Sequence, residues 1–157
     1  QDGSYTLLPG TPFIGDKTLG RFGWATAFNE EADRLAISAP FYGSGESLEP
    51  GSVYVYEKQG SSWQLMGQPI EGTNNGEAFG FSLALNKEGD YLAVGSPGSN
   101  VGGDQSGKVS VFKWESSTSS WTNVGGDLVG DGPDSRLGRS VDISGDGSRI
   151  AVSSFAS

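Results

Sequence analysis

Carboxylates are the most numerous ionisable side chains of this chain. The sequence holds 19 Asp and Glu residues but no histidine and no cysteine. Histidine is the commonest general base and metal ligand, and cysteine is the most nucleophilic side chain. Ser-His-Asp and Cys-His catalysis are therefore excluded within these 157 residues, and structural zinc lacks its usual ligands. Chemistry between two carboxylates stays open, although the sequence singles out no pair.

Some of these acidic residues recur in three short segments between apolar runs. "NEEADRL" begins at Asn29, "NKEGDYL" at Asn86 and "SGDGSRI" at Ser144. Gly89 and Gly147 stand where a tight turn requires a positive φ. We therefore expect these segments to be hairpin turns, and the strands that they connect must position any functional group.

The overall charge excludes one class of partner. The formal net charge is -9 at pH 7, and binding to a phosphate backbone requires clustered Lys and Arg. We expect no nucleic-acid partner. No apolar run approaches the roughly 18 residues that span a bilayer, so no membrane span is expected in this segment.

The chain repeats one pattern three times. "RFGWATAFNEEADRLAISAP" begins at Arg21, "AFGFSLALNKEGDYLAVGSP" at Ala78 and the weaker "RLGRSVDISGDGSRIAVSSF" at Arg136. Phe79 follows Phe22 by 57 residues, and Leu137 follows Phe79 by 58 residues. A nearly constant period of this length is typical of repeat architectures.

Each repeat predicts four short strands, because alternating or β-branched runs are bounded by turn residues. In the two whole repeats these are "FGWATAFN" and "FGFSLALN", then "RLAISA" and "YLAVGS", then "SVYVYEK" and "KVSVFKW", and finally "WQLMGQPI" and "WTNVGGDL". The Gly- and Pro-rich segment after the second strand is the longest loop and should project from one rim.

Four antiparallel strands that cannot bury both faces alone are typical of a propeller blade. We therefore expect an all-β fold, an incomplete β-propeller segment of four-stranded antiparallel blades. Residues 1-18 would be the last strand of a preceding repeat, 19-75 and 76-133 two whole repeats, and 134-157 the first two strands of a further one. The remaining blades would come from the same chain or from other copies.

The pattern resembles the FG-GAP repeat of integrin-like β-propellers. Phe79-Gly80 matches the FG element, and Gly95-Ser96-Pro97 and Ser38-Ala39-Pro40 match the GAP element. In the third copy both elements are eroded, to Leu137-Gly138 and Ser153-Ser154-Phe155. The resemblance covers essentially the whole chain and implies a propeller fold that serves many functions.

The same resemblance raises calcium as a cofactor. The family's calcium loop lies between the first two strands and reads Asp-x-Asn-x-Asp-Gly-x-x-Asp. The turn segments here are shorter and carry too few staggered carboxylates for the six to eight oxygens that calcium prefers. We therefore expect no cofactor and no metal site, and calcium only as an open possibility. Asp127, Asp131 and Asp134 form a second acidic segment, which we interpret as a solvated connection between blades.

The aromatic anchors favour a structural role. Phe22, Phe79 and Leu137 are expected to fill the space between blades, since the glycine that follows each allows close backbone approach. Trp63 and Trp121 are expected to start the outer strand and to cover its edge.

We therefore predict a non-catalytic module for protein–protein interaction or adhesion, which binds a protein partner or a glycan through the rim loops after the second strands. The expected contact residues are polar or aromatic and lie in those two loops: Tyr42, Ser44, Glu46, Glu49, Asn100 and Asp104. No catalytic residue is assigned.

Two alternatives remain at this point. The chain could be a structural accessory subunit of a large assembly, or a propeller hydrolase or lyase whose carboxylates meet in the central channel, with Asp142 the main acidic residue on a first strand. The expected location is extracellular or at the cell surface, with an organelle lumen as the alternative.

Overall fold

A computed structural model of the chain describes residues 13–14, 21–41 and 50–155. Over these residues the protein is all-β, with twelve strands in three antiparallel sheets. No helix in this part of the chain is long and apolar enough to cross a membrane. The prediction of an all-β fold built from antiparallel sheets is thus confirmed.

The first sheet is formed by five strands. These are β1 (Thr26–Phe28), β2 (Arg34–Ala39), β3 (Ser52–Gln59), β4 (Ser62–Leu65) and β5 (Ile70–Glu71). β1 to β4 lie side by side in chain order, and β5 returns to pair with the beginning of β3. β4 and β5 together therefore occupy the outer edge of one sheet.

The second sheet repeats this arrangement with β6 (Ser82–Leu85), β7 (Tyr91–Ser96), β8 (Lys108–Glu115), β9 (Ser120–Asn123) and β10 (Leu128–Val129). β8 pairs with β7 on one side and with β9 and β10 on the other. The third sheet has two described strands, β11 (Val141–Ile143) and β12 (Ile150–Val152).

The strands differ from the predicted ones at two places. The first strand of each repeat begins later, at Thr26 and Ser82, because the Phe-Gly pair lies in a turn with a positive φ at the glycine. The fourth strand is divided in two. Gly67 (φ 81) interrupts it in the first sheet, and Gly125 and Gly126 (φ 77 and 74) interrupt it in the second. The second strands agree with the prediction residue for residue.

The three copies share backbone hydrogen bonds at equivalent positions. The amides of Gly23, Gly80 and Gly138 each donate to a carbonyl at the end of the second strand, those of Ser38, Gly95 and Ser153, at 2.9, 3.1 and 2.9 Å. Neighbouring sheets are joined in the same repeated way: the Glu30 amide donates to the Lys87 carbonyl, and the Lys87 amide to the Gly145 carbonyl. The sequence period is therefore also a structural period.

Phe79 is the largest fully buried side chain among the described residues and lies between the first two sheets. It packs with Val53 of β3 and Leu92 of β7, and its ring meets that of Phe112 edge to face at 5.9 Å between centroids. A Cβ on Gly80 would come within 2.8 Å of the Ser38 Cβ, so glycine is needed there for the sheets to approach. The expected role of Phe79 as a filler between sheets is confirmed.

The two faces of a sheet carry side chains of different size. The face of the second sheet toward the first presents large residues, which include Leu83, Leu85, Leu92 and Phe112. The buried residues of its face toward the third sheet are smaller, namely Ala84, Ala93 and Val109, and the half-buried Tyr91 and Val111 pack beside them. Large residues of one sheet thus pack against the smaller residues of the sheet before it.

Phe13 supports the expected register of the first residues. Its ring lies 4.7 Å from that of Tyr56 on β3 and 6.0 Å from that of Trp63 on β4. In the next repeat Ile70 packs in the same cluster as Phe112 and Trp121, the equivalents of those two rings. Most of residues 1-18 lie outside the described part of the chain, and the assignment of domain boundaries stays a prediction.

Candidate functional site

One edge of the three sheets gathers the features that could bind a ligand. In an antiparallel pair, the start of the first strand and the end of the second lie at the same edge. Trp24, Phe81 and Arg139 precede β1, β6 and β11, whereas Phe41 and Phe155 follow β2 and β12. The predicted rim loops leave from this same edge.

These side chains form a continuous row, which we call the arginine–aromatic row: Arg21, Trp24, Phe41, Phe81, Arg139 and Phe155. The ring centroids of Trp24 and Phe41 are 4.9 Å apart, and those of Trp24 and Phe81 are 5.4 Å apart. The Trp24 indole N–H donates to the Phe81 carbonyl at 3.2 Å, which fixes the ring across two sheets.

An arginine stacks on rings at each end of the row. The Arg21 guanidinium carbon lies 4.9 Å from the Phe41 centroid and 5.6 Å from that of Trp24. The Arg139 guanidinium carbon lies 5.3 Å from the Phe81 centroid and 4.5 Å from that of Phe155. Each contact is a cation–π interaction that orients the planar group while leaving its N–H edge free to donate.

The row remains accessible and carries unbalanced positive charge. Trp24 is 43% exposed and Phe155 is 51% exposed. Most other described cations pair with carboxylates, namely Arg34, Lys87, Lys108, Lys113 and Arg136. Neither Arg21 nor Arg139 makes an ion pair with a carboxylate among the described residues. On an acidic chain, the row is thus a local cationic surface.

The predicted contact residues divide into two groups. Asn100 and Asp104 are both exposed and share the loop that follows β7. The Asn100 side-chain oxygen accepts from the Gln105 amide at 2.8 Å, and the Asp104 carbonyl accepts from the Asp134 amide at 2.8 Å. The loop is therefore held against the connection to the third sheet. Tyr42, Ser44, Glu46 and Glu49 lie outside the described residues.

A cavity of about 220 Å³ lies between this loop and the connection that joins the first two sheets. Its lining is mainly polar and comprises Asn74, Asn75, Glu77, Gly98, Asn100 and Val101. Asn100, one of the predicted contact residues, thus borders this cavity.

Glu77, which lines this cavity, forms a buried ion pair with Lys108. Glu77 is fully buried, and one of its oxygens lies 2.9 Å from the Lys108 Nζ. The other oxygen accepts from the Thr73 amide at 2.8 Å, and the Lys108 ammonium also donates to the Thr73 hydroxyl at 3.1 Å. Asp127 is a more distant partner of Lys108, at 3.9 Å. Because buried charges need such partners, we interpret the pair as structural.

The three turn segments are hairpin turns, as predicted. In two of them an asparagine caps the turn, since Asn29 Oδ1 accepts from the Arg34 amide at 2.8 Å and Asn86 Oδ1 from the Tyr91 amide at 2.9 Å. In the third, hydrogen bonds from the Ser144 hydroxyl and then from Ser148 lower the pKa of Asp146 from 3.8 to about 2. Among the described residues no group of three or more Asp or Glu side chains is arranged to hold a metal ion.

Asp142 lies on β11 and is exposed. Its carboxylate accepts from the adjacent Ile143 amide at 2.9 Å. The described parts of the other two first strands, "TAF" and "SLAL", contain no acidic residue. The structure therefore brings no second carboxylate from a first strand to Asp142.

Comparisons with known proteins give a fold and no family. No protein-family model matches the chain, and no curated protein is significantly similar to it in sequence. A solved structure assigned as a 6-phosphogluconolactonase of Bacteroides fragilis NCTC 9343 is similar, with a TM-score of 0.54 and 18% identity over 81% of this chain and 30% of the other.

A second similar structure is the hydrazine synthase of Kuenenia stuttgartiensis, with a TM-score of 0.50 and 13% identity over 84% of this chain and 44% of the other. Both neighbours have propeller-like folds. At these identities the likeness concerns the fold alone, and this chain spans less than half the length of either neighbour.

Sequence reasoning missed the arginine–aromatic row. The signal was present, since the residue after each Phe-Gly or Leu-Gly pair is Trp24, Phe81 or Arg139, large in every copy. The pattern does not predict the row, because the residues fall in a predicted first strand, in which side chains alternate between faces. The turn that delays the strand instead presents all three at one edge.

Proposed function

We propose that the chain is a segment of an FG-GAP-like β-propeller and that it acts as a non-catalytic interaction module for a protein or a glycan. The propeller is supported by the sequence period, by the equivalent hydrogen bonds of the three sheets and by the fold of the two structural neighbours. In this proposal each sheet is one blade, and the remaining blades come from the same chain or from other copies.

The arginine–aromatic row is the observation that supports the interaction role. Exposed aromatic side chains and arginine are the residue types that contribute most at recognition surfaces. Here they are held rigidly at the edge from which the predicted rim loops leave, and Asn100 and Asp104 stand on the loop nearby. A ligand that lies along this edge would contact both the row and the loop after β7.

An extracellular or cell-surface location fits an interaction module of this charge, and it remains part of the proposal. The accessory-subunit alternative predicts that the protein co-purifies with a large complex. The enzyme alternative predicts carboxylates that converge with Asp142. No described contact favours either alternative over the interaction role.

A binding panel tests the proposal. Arrays of purified extracellular proteins and of glycans are probed with the full chain, with the double variant Trp24→Ala/Arg139→Gln and with the control Arg149→Gln. Arg149 lies on the opposite end of the same third hairpin and is also exposed. We expect at least one ligand whose signal is lost in the double variant and kept in the control.

Circular dichroism of each variant checks that the sheets are intact before the binding is compared. The proposal is wrong if no ligand on either array binds the native chain, or if the double variant binds every ligand as well as the native chain does.

A further inference from the structure

We infer that the arginine–aromatic row binds an acidic polysaccharide, a chain of sugar rings in which carboxylates recur. This inference rests on the proposed interaction role and names the chemical class of its ligand. It follows from three properties of the row: two cations without carboxylate partners among the described residues, ring faces between them, and a backbone that is already hydrogen-bonded.

The two arginines set the charge of the ligand. A guanidinium presents a planar fork of donors that matches a carboxylate in two parallel hydrogen bonds. Arg21 and Arg139 are exposed, and each is stacked on rings rather than paired with a carboxylate of the described chain. Stacking limits each side chain to few rotamers, so little entropy is lost when an anion binds. Two separated cations indicate a ligand with at least two anionic groups.

The rings between the arginines set the shape of the ligand. Trp24 supplies an exposed aromatic face, and the half-buried rings of Phe41 and Phe81 lie beside it, with centroids 4.9 to 6.2 Å apart. Such faces stack against flat apolar surfaces of about their own size, and the C–H face of a pyranose ring is one. A polyuronate combines that face with a carboxylate on the same ring. Its repeating unit therefore suits a row in which aromatic rings lie between two cations.

The backbone beneath the row argues for a saccharide rather than an extended peptide. A peptide in such a site gains much of its affinity by adding a strand to a free sheet edge. The amides of Trp24 and Phe81 already donate to the carbonyls of Ser38 and Gly95, at 3.3 and 3.0 Å. Recognition at the row is thus left to side chains, which suits a ligand without a pairing backbone.

The net charge of these 157 residues supports a specific site. A chain with a formal charge of -9 repels polyanions in general. Binding of an acidic polysaccharide therefore requires a local site and cannot arise from non-specific attraction, as it could for a basic protein.

The test is calorimetric titration of the full chain with an oligogalacturonate, at low salt and at about 0.15 M salt. The uncharged galacto-oligosaccharide of the same length and a poly-glutamate peptide serve as comparison ligands. We expect the oligogalacturonate to bind, more weakly at the higher salt, and we expect the two comparison ligands to bind at least about tenfold more weakly.

Four variants locate the site. Arg139→Gln and Trp24→Ala should each weaken binding of the oligogalacturonate about tenfold or more, since each removes a charge-assisted hydrogen bond or a stacking face. Arg139→Lys keeps the charge but loses the fork and should fall between the native chain and Arg139→Gln. Arg149→Gln removes an equal charge from the same sheet away from the row and should change binding by less than about twofold.

Several results would overturn the inference: no binding of the oligogalacturonate, equal binding of the neutral sugar or of poly-glutamate, or an equal effect of Arg149→Gln and Arg139→Gln. The array experiment separates this failure from that of the proposed function. If a protein ligand depends on the row while no polyuronate binds, the interaction role stands and the ligand class is wrong.

Discussion

The charge of Asp146 is stabilised by hydrogen bonds from residues of the same turn. Its carboxylate accepts from the Ser144 hydroxyl at 2.6 Å, from the Ser148 hydroxyl at 2.8 Å and from the Ser148 amide at 3.0 Å. Three donors from neighbouring residues stabilise the ionised form. This turn therefore balances its acid with hydroxyl and amide groups, where a calcium loop would use a cation.

A pH titration tests this arrangement. The pKa of Asp146 is lowered to about 2, chiefly by the hydrogen bond from Ser144. Since the folded-state pKa lies below the unfolded one, the contribution to stability is complete above about pH 4 and is lost as the pH falls through about 2. Carboxyl NMR should show a midpoint near 2 that moves toward 3.8 in Ser144→Ala. Ser116→Ala, an exposed serine of another turn, should leave the midpoint unchanged, and an Asp146 midpoint at 3.8 in the native chain would contradict the account.

At the residue scale, the sequence predicted the burial of Phe79 but not the specific contacts that charged side chains make. Phe79 could be placed between sheets because its repeat context is strong. The stacking of Arg21 and Arg139 could not be predicted, since it depends on the turn that precedes the first strand. The ion pair of Glu77 and Lys108 was also beyond reach, because it has no counterpart in the other repeats: Ser135 and Ser52 occupy those positions.

At the scale of the elements, the three hairpin turns adopt the same backbone conformation with different residues at the position of positive φ. Gly89 and Gly147 adopt φ values of 68 and 71, whereas Ala32 holds the equivalent position at φ 53. A residue with a Cβ is strained in this left-handed region, and glycine is not. The first turn therefore adopts its shape against the preference of its own residue.

Exchanging these residues should have opposite effects on stability. Ala32→Gly relieves the strain and should raise the free energy of unfolding by about 0.5 kcal/mol. Gly89→Ala should lower it by more than about 1 kcal/mol, because the new Cβ would also lie 2.7 Å from the Arg34 Cδ. Urea denaturation of both variants measures the two values, and a less stable Ala32→Gly protein would show that the strain argument is wrong.

The elements themselves were largely predictable. The second strands were predictable as compact apolar runs, because they are central and bury five consecutive residues and hence both faces. Alternation located the third strands. The fourth strands were predicted as continuous, and the break at Gly67 was missed because a single glycine in a strand pattern is also compatible with a bulge. How far each break would displace the outer strand depends on packing that the pattern does not contain.

At the scale of the whole molecule, the sheets depend on one another through a few filling side chains. Phe79→Ala should lower the free energy of unfolding by about 3 to 5 kcal/mol, since it leaves a cavity between two sheets. Leu137→Ala, at the half-buried equivalent position, should cost less. Leu65→Ala, at a side chain 40% exposed on β4, is the control and should cost under about 1 kcal/mol. Equal losses for Phe79→Ala and Leu65→Ala in chemical denaturation would contradict this role.

The strand and turn patterns predicted the all-β architecture, and the period predicted that the sheets repeat. Neither the period nor side-chain alternation specifies which face of a sheet packs against the next sheet in the chain. The contacts between Phe79, Val53 and Leu92 settle that question for the first two sheets.

The unequal faces of the sheets give the stack a direction. A large face fits only a small face, since two large faces would be overpacked and two small ones would leave a gap. Units can therefore be added in one sense only, head to tail, and any assembly built through these faces must either close on itself or continue as a screw. The same inequality of the faces would allow one unit to be removed. Deleting the residues between two equivalent positions, such as Gly23 and Gly80, would again place a large face against a small one.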